Sequence, residues 1–256
     1  MTADIFGTGQ VFLFVFARFS GMVLLNPIFS RKNLPQTFKM GFVLMLTLLV
    51  APNLDSSFLV DMASMDKVTA LLKELSVGMV GGMVFDIFYY LLLFAGDFID
   101  MQLGLSMAKT FDPGSNIQIS ISGKIITLLF FFYFFASDSH LMLIKIFATS
   151  FEIIPAGAAG FNLNFAEHML KLFASIFTLA FKLSLPFVIA EFTIEAALGI
   201  LMRVVPQISV FVVSMQLRIL VGLTLMIAYA PAISSFTDKY ITLLLQNTMA
   251  MLRTLA

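Results

Sequence analysis

Four charged side chains interrupt an otherwise apolar run from residue 186 to residue 222: Glu191, Glu195, Arg203 and Arg218. Hydrocarbon cannot solvate an ionised group, so each of them needs a partner charge, a protein surface or a wet cavity. Residues four apart follow one another along a single face of a helix. Glu191, Glu195, Gly199 and Arg203 have this spacing. The pattern indicates a helix that packs against other protein along a charged stripe.

Two interpretations of the acidic pair stay open. Acidic residues in membrane transporters often bind ions or protons. The structural interpretation pairs both carboxylates with nearby bases of this chain or with a neighbouring subunit, and it is favoured because acids and bases in this region can largely neutralise each other. The residues of this predicted inter-helix or inter-subunit charge network are Arg18, Lys182, Glu191, Glu195, Arg203 and Arg218.

Three further carboxylates and one histidine are weaker candidates for chemistry. Asp86, Asp97 and Asp100 offer the oxygen ligands that hard cations prefer. Asp86 is distant from the other two and no dense acidic loop is present, so a role in packing or at a helix end is favoured. His140 follows an Asp-Ser pair, but no GxSxG motif accompanies it. No catalytic, metal or cofactor site is predicted.

The composition is that of a membrane protein. Of the 256 residues, 60% are hydrophobic and 12% are charged, whereas soluble domains carry about 25% charged residues. Fifteen basic and fifteen acidic residues leave no net field that would attract nucleic acid. The chain has no Cys, which excludes disulfides, thiolate catalysis and Cys-ligated metal sites.

Apolar segments recur along the chain, and none shows the alternation of a strand. We therefore expect an all-α, membrane-associated fold of helical hairpins, with residues 53–74 forming an exposed connection that carries a short amphipathic helix and the next helix continuing toward Met107. Basic residues divide almost evenly between alternate loops, so the positive-inside rule does not fix the topology. The predicted apolar segments are 11–29, 38–51, 75–96, 125–136, 141–151, 170–190, 191–205, 208–230 and 233–255, the fourth and fifth being separated by the polar residues 137–140.

One polar loop between two apolar segments is a candidate functional element. The segment Thr110–Gly123 is rich in turn formers and almost free of charge. Pro113 and Gly114 are expected to end the preceding helix. Loops of this kind often carry function because a rigid scaffold positions them.

Landmarks over residues 18 to 222 together resemble the FliR family, a flagellar export-gate component related to the SctT proteins of virulence type III secretion. The first landmarks are Arg18, Gly21, Pro27, Arg31, Pro35, Lys39, the KEL of Lys73–Leu75, Gly78 and Gly82. The next are the DxQLGLSMA of Asp100–Ala108, Asp112, Pro113, His140 and the SFxxxP of Ser150–Pro155. The last are Glu195, Leu198, Gly199, Arg203, Pro206 and Gln207. Ser209 and the segment Gln216–Arg218 depart from the family pattern.

The resemblance implies a non-enzymatic channel subunit without cofactors, in the flagellar export gate or alternatively in a virulence secretion gate. It implies a FliP-like portion over residues 1–165, followed by a FliQ-like helical hairpin and tail over residues 166–256, packed in a spiral hetero-oligomer. The implied partners are FliP, FliQ, FlhB and FlhA homologues, exported unfolded flagellar proteins and membrane lipids, but not nucleic acid. The implied location is the bacterial inner membrane at the flagellar basal body.

The polar loop matches the position of the family's plug, a segment that blocks the closed pore. The implied plug residues are Phe111, Asp112, Pro113, Gly114, Ser115, Asn116 and Ile117. A rival interpretation is a small secondary transporter that uses Glu191, Glu195 and Lys182, although no internal inverted repeat of the kind common in transporters is evident. An intramembrane enzyme is the remotest rival, since His is scarce and Cys is absent.

Overall fold

The computed structural model describes residues 2–29, 34–54, 64–107, 120–158, 160, 163–205 and 210–256. This described part is helical and contains no strand, which confirms the predicted all-α class. Two short 3-10 turns, Ala51–Asn53 and Leu105–Met107, accompany the α-helices. The α-helices are α1 (Thr2–Leu24), α2 (Gln36–Val50), α3 (Ser64–Gln102), α4 (Ile121–Ala136), α5 (Ser139–Ile153), α6 (Leu163–Val204), α7 (Val210–Ala228) and α8 (Ala230–Arg253).

The chain forms two compact units, each assembled from separate stretches of sequence. Unit 1 comprises residues 1–88, 138–173 and 242–256, and unit 2 comprises residues 89–137 and 174–241. Helices α3, α6 and α8 therefore contribute residues to both units. The predicted boundary between a FliP-like portion and a FliQ-like hairpin, at residue 165, stays a prediction.

Unit 1 is built on a close approach of α1 and α3. A Cβ atom added to Gly78 would collide with the backbone of Arg18, and one added to Gly21 would lie 2.8 Å from the amide nitrogen of Met79. At Gly82 it would lie 2.7 Å from the carbonyl oxygen of Met22. Small residues let membrane helices pack backbone to backbone, and Gly21, Gly78 and Gly82 do so here. The contact brings the middle of α1 beside residue 74.

Helix α3 begins earlier and ends earlier than the sequence indicates. It is one helix of 39 residues from Ser64, so the short helix expected within residues 53–74 is present, but as the first turns of α3 rather than as a separate element of a connection. The helix ends at Gln102 rather than continuing toward Met107, because Gly104 adopts a left-handed backbone with φ of 71°. Glycine takes this conformation without steric cost and commonly terminates helices.

Helix α6 is a single helix of 42 residues with Pro186 inside it, whereas the sequence favours two segments meeting near residue 190. Proline removes one backbone hydrogen bond but does not always end a helix. Burial of Phe187 and Leu183 on either side of the proline, within unit 2, holds the helix continuous. The charged residues between 191 and 203 therefore lie on one uninterrupted helix.

Two helices are long and apolar enough to cross a membrane, Met65–Gln102 and Asn164–Val204. Two broken helix pairs, α4 with α5 and α7 with α8, raise this number to as many as four among the described residues if each pair is one span. Together with the composition, these helices identify a membrane protein.

Candidate functional site: two charge clusters and a capped loop

The first charge cluster lies in unit 1 and is fully buried. Arg18 in α1 donates from Nε to Glu74 Oε2 at 2.5 Å, and neither side chain is exposed. Its remaining nitrogens donate to Ser150 Oγ at 3.3 Å and to the Ile154 carbonyl at 2.9 Å. The guanidinium carbon also lies 3.8 Å from the centre of the Phe151 ring. We call this arrangement the closed cluster, because protein groups surround the arginine on every edge.

The carboxylate of the closed cluster is satisfied as completely as the arginine. Glu74 Oε1 accepts a hydrogen bond from the backbone N–H of Gly157 at 2.7 Å. The pair carries no net charge, and it ties α1 and α3 to α5 and to the turn after α5. A buried ion pair needs such additional hydrogen bonds to offset the loss of hydration. The arrangement fits a structural fastening, with no group left to bind a ligand.

The second charge cluster lies in unit 2 and is partly open. Arg218 in α7 reaches two carboxylates of α6: Nη2 donates to Glu195 Oε1 at 2.9 Å, and Nη1 lies 2.7 Å from Glu191 Oε1. The latter contact has the distance of an ion pair without the alignment of a hydrogen bond. Ser214 Oγ accepts from Arg218 Nε at 3.0 Å. We call this arrangement the open cluster.

The open cluster differs in charge and exposure from the closed one. Two carboxylates face one guanidinium, so the cluster has a net charge of −1. The side chain of Glu195 is 52% exposed, whereas those of Glu191 and Arg218 are 8% and 25% exposed. Arg218 contacts only one oxygen of Glu195. The other oxygen remains available to a further donor.

The remaining members of the predicted network do not join either cluster. Lys182 and Arg203 are exposed and have no ion-pair partner among the residues that the structure describes. Arg18 belongs to the closed cluster, whose acid, Glu74, was singled out in the sequence only as the middle of the KEL landmark. Spacing alone could not have identified it, because 56 positions separate the two residues.

A third buried carboxylate caps the helix that follows the predicted plug loop. Asp100 is buried in unit 2, and its oxygens accept from the backbone N–H groups of Ile121 at 2.7 Å and Ser122 at 3.1 Å. The Ser120 hydroxyl accepts from Gly123 N–H at 2.6 Å. These acceptors satisfy the free N–H groups of the first turn of α4 and suit its positive end. Asp100 therefore has the helix-end role that the sequence favours.

The capped turn shortens the loop predicted from the sequence. Residues 121–123 belong to α4, so the expectation that the loop extends to Gly123 is wrong for these three residues. The predicted plug residues 111–117 lie outside the described residues. Within the described part of the chain, no three His, Asp or Glu side chains are grouped so that they could hold a metal ion.

Comparison with known proteins gives consistent matches over most of the chain. The family described as "Bacterial export proteins, family 1" matches residues 10–244. Flagellar biosynthetic protein FliR of Bacillus subtilis (strain 168) is 31% identical, over 84% of this chain and 84% of that protein. FliR of Escherichia coli (strain K12) is 29% identical over 86% of this chain and 84% of that protein. The Yop proteins translocation protein T of Yersinia pestis is 25% identical over 89% and 88%.

Proposed function

Because the chain belongs to the bacterial export proteins, family 1, we propose that it is a core channel subunit of a type III protein export gate. Family membership confirms the resemblance drawn from the landmarks of the sequence. The observation that carries the proposal is similarity to FliR and to translocation protein T over more than four fifths of both chains. Its long apolar helices with charged stripes suit a membrane subunit that packs among other subunits.

The flagellar system is the favoured setting. FliR proteins of several bacteria match at 22% to 31% identity, and those of Escherichia coli and Bacillus subtilis, at 29% and 31%, exceed the 25% of the Yersinia translocation protein. On this proposal the chain lies in the bacterial inner membrane at the flagellar basal body. It assembles there with FliP, FliQ, FlhB and FlhA homologues and passes unfolded flagellar proteins. A virulence secretion gate is the second candidate, supported by the match to translocation protein T.

Removal of the gene tests this function in the organism that carries it. We expect loss of flagellar protein export and of motility, with both restored when the chain is supplied again. A strain that keeps exporting flagellar proteins but no longer secretes virulence proteins would favour the second candidate. A strain in which both kinds of secretion continue would contradict the export-gate function.

The plug is the finer part of the proposal. We infer that residues 111–117 obstruct the closed channel, and that they do so from a fixed base in unit 2. The support is a contact that spans the loop: Asp100, before the loop, accepts hydrogen bonds from the backbone N–H groups of Ile121 and Ser122, at the start of α4. Because this contact lies outside residues 111–117, those residues can be altered without disturbing α4.

Shortening the loop tests the plug separately from the function of the subunit. A variant that lacks part of 111–117 is expected to assemble normally and to let ions leak through the membrane, measured as dye or ion flux from proteoliposomes holding the assembled complex. A second variant replaces the same residues by Gly and Ser at unchanged length. It shows whether a leak comes from the missing side chains or from the shorter loop. Membranes as tight as those with the unaltered chain, with either variant, would contradict the plug.

A further inference from the structure

The second half of α6 packs within unit 2 on one narrow face. Its buried residues recur at three- and four-residue steps and are Phe187, Glu191, Ile194 and Leu198. A neighbouring face, roughly a third of a turn away at about 100° per residue, is left exposed or half-buried. We call this face the Gly199 stripe, and its residues are Phe192, Glu195, Ala196, Gly199 and Arg203.

The Gly199 stripe is poorly suited to contact lipid. Helix α6 has the length and composition of a membrane span. The apolar side chain of Phe192 would be stable in hydrocarbon. The side chains of Glu195 and Arg203 would not be stable there, because burying an ionised group in lipid costs free energy. Both are exposed in this structure. Lipid is therefore a poor neighbour for this face, and protein or water is needed beside both charges.

The glycine at the centre of the stripe points to a neighbouring helix. Glycine weakens a helix relative to alanine, and among the described residues no atom beyond the neighbouring backbone of α6 lies within 4 Å of the place where a Cβ on Gly199 would be. The contacts within the described part of the chain therefore give no reason for a glycine here. Small residues in membrane helices allow a second helix to approach closely, and Ala196 next to Gly199 widens the flat area.

The charges specify what that second helix carries. The open cluster has a net charge of −1, and one oxygen of the exposed Glu195 has no contact with Arg218. Arg203 lies two turns further along α6, about 12 Å at 1.5 Å per residue. It has no ion-pair partner among the described residues. A complementary helix would present a basic side chain to Glu195 and an acidic one to Arg203.

A second copy of this chain related by a two-fold axis does not meet that requirement. Copies of one membrane protein share an orientation, so a two-fold axis along the membrane normal brings equivalent helices together in parallel. A two-fold contact joins the same patch on both subunits. Glu195 would then face Glu195, and Arg203 would face Arg203, with like charges repelling in a medium of low dielectric constant.

We propose that the Gly199 stripe docks an apolar helix of a different subunit, with a basic residue opposite Glu195 and an acidic residue opposite Arg203. The proposal rests on the export-gate function, since it assumes a hetero-oligomer. It adds to that function the surface at which a neighbouring subunit is held. It also gives the chemistry by which that neighbour is recognised.

Substitution of the glycine is the direct test. Gly199→Leu is expected to lower the amount of partner subunits that copurify with this chain from host membranes by about tenfold or more, because the two helices no longer approach. The matched control is Ala197→Leu, on an exposed and roughly opposite side of the same turn. Leucine is a better helix former than glycine, so a loss of copurification could not be explained by a less stable α6.

A charge exchange tests the partner's chemistry. Arg203→Glu is expected to reduce copurification with only a small loss of stability in the isolated chain. Arg203 has no ion-pair partner among the residues described, and the loss comes from placing an acidic group in the last turn of α6. A photoreactive phenylalanine analogue in place of Phe192 identifies the facing segment by mass spectrometry. Reversing the acidic residue found there is expected to restore copurification with Arg203→Glu. A facing segment without complementary charges would overturn the charge assignment.

The outcomes separate the docking surface from the function. If the unaltered chain copurifies with other subunits and Gly199→Leu does so equally well, the docking surface is overturned and the export-gate function stands. If the unaltered chain copurifies with no other subunit, the export-gate function falls and the docking surface with it. Cross-linking of position 192 to lipid alone, or to a second copy of this chain, would also overturn the docking surface.

Discussion

The closed cluster of unit 1 and the open cluster of unit 2 use the same residue types for different ends. In the closed cluster, Arg18 and Glu74 are fully buried, and every edge of the guanidinium meets a protein group. In the open cluster, Glu195 is half exposed and the net charge is −1. A satisfied, neutral pair fixes the fold, whereas an unbalanced, accessible group retains the capacity to bind. Exposure and charge balance, rather than residue type, distinguish a fastening from a binding surface.

The largest effect on folding stability is expected when the acid of the closed cluster is removed. Glu74→Ala leaves Arg18 buried without a counter-charge, which typically costs about 3–5 kcal/mol of folding stability. We expect a large fall in the thermal unfolding midpoint of the detergent-purified chain and poor recovery from membranes.

The matched control is an exposed ion pair of the same chain. Glu167 pairs with Lys171 at 2.6 Å, and their side chains are 63% and 72% exposed. Surface pairs of this kind contribute little, so Glu167→Ala should leave the midpoint unchanged. Equal effects of the two substitutions would show that the closed cluster is not a fastening.

The close approach of α1 and α3 gives the next largest expected effect. A side chain at Gly78 would collide with the backbone of Arg18, and overpacking of this kind costs about 1–3 kcal/mol or more. Gly78→Leu should therefore lower the unfolding midpoint. Gly41→Leu in α2 is the control, because no atom of the described residues, the neighbouring backbone of α2 aside, lies within 4 Å of its Cβ position. A Gly78→Leu chain as stable as this control would contradict the tight packing that positions the closed cluster.

The buried cap of α4 should give an intermediate effect. Asp100→Ala removes the two carboxylate oxygens that accept from Ile121 and Ser122 in the first turn of the helix, while the Ser120 hydroxyl remains. Loss of a helix cap costs about 0.5–2 kcal/mol. Since the same carboxylate anchors the end of the predicted plug loop, we also expect increased ion flux through the assembled complex. Reduced stability with unchanged flux would limit Asp100 to a structural role.

The smallest effect on folding is expected at the open cluster. Glu195→Gln leaves Arg218 with Glu191, and a half-exposed pair is worth only about 0–1 kcal/mol. The isolated chain should unfold almost as before, while the yield of the assembled complex falls. An assembled complex that no longer exports protein would instead give this carboxylate a role in transport. A large loss of stability in the isolated chain would erase the distinction between the two clusters.

The sequence predicts the helical class and the charged stripe of α6 because both follow from local periodicity. It does not reveal that Arg18 pairs with Glu74, since that contact depends on glycines that bring α1 and α3 together. Nor could it choose among Lys182, Arg203 and Arg218 as partners of Glu191 and Glu195, because the answer depends on how α6 packs on α7.

The boundaries of α3 were misread for two local reasons. Its first turns carry exposed polar residues, such as Asp66 and Lys73, which resemble a connection when read without their helical neighbours. Its end depends on the left-handed backbone of Gly104. A glycine in an apolar run gives little indication of which conformation it will adopt. Both errors concern the ends of an element whose existence was predicted correctly.

Native mass spectrometry of this chain, purified in detergent after co-expression with the FliP and FliQ candidates of its own genome, tests the central claim most directly. The account predicts that the chain is held as one copy in a large hetero-oligomer. A stable monomer or homodimer that ignores those partners would contradict it, and would return the charged stripe of α6 to the transporter interpretation.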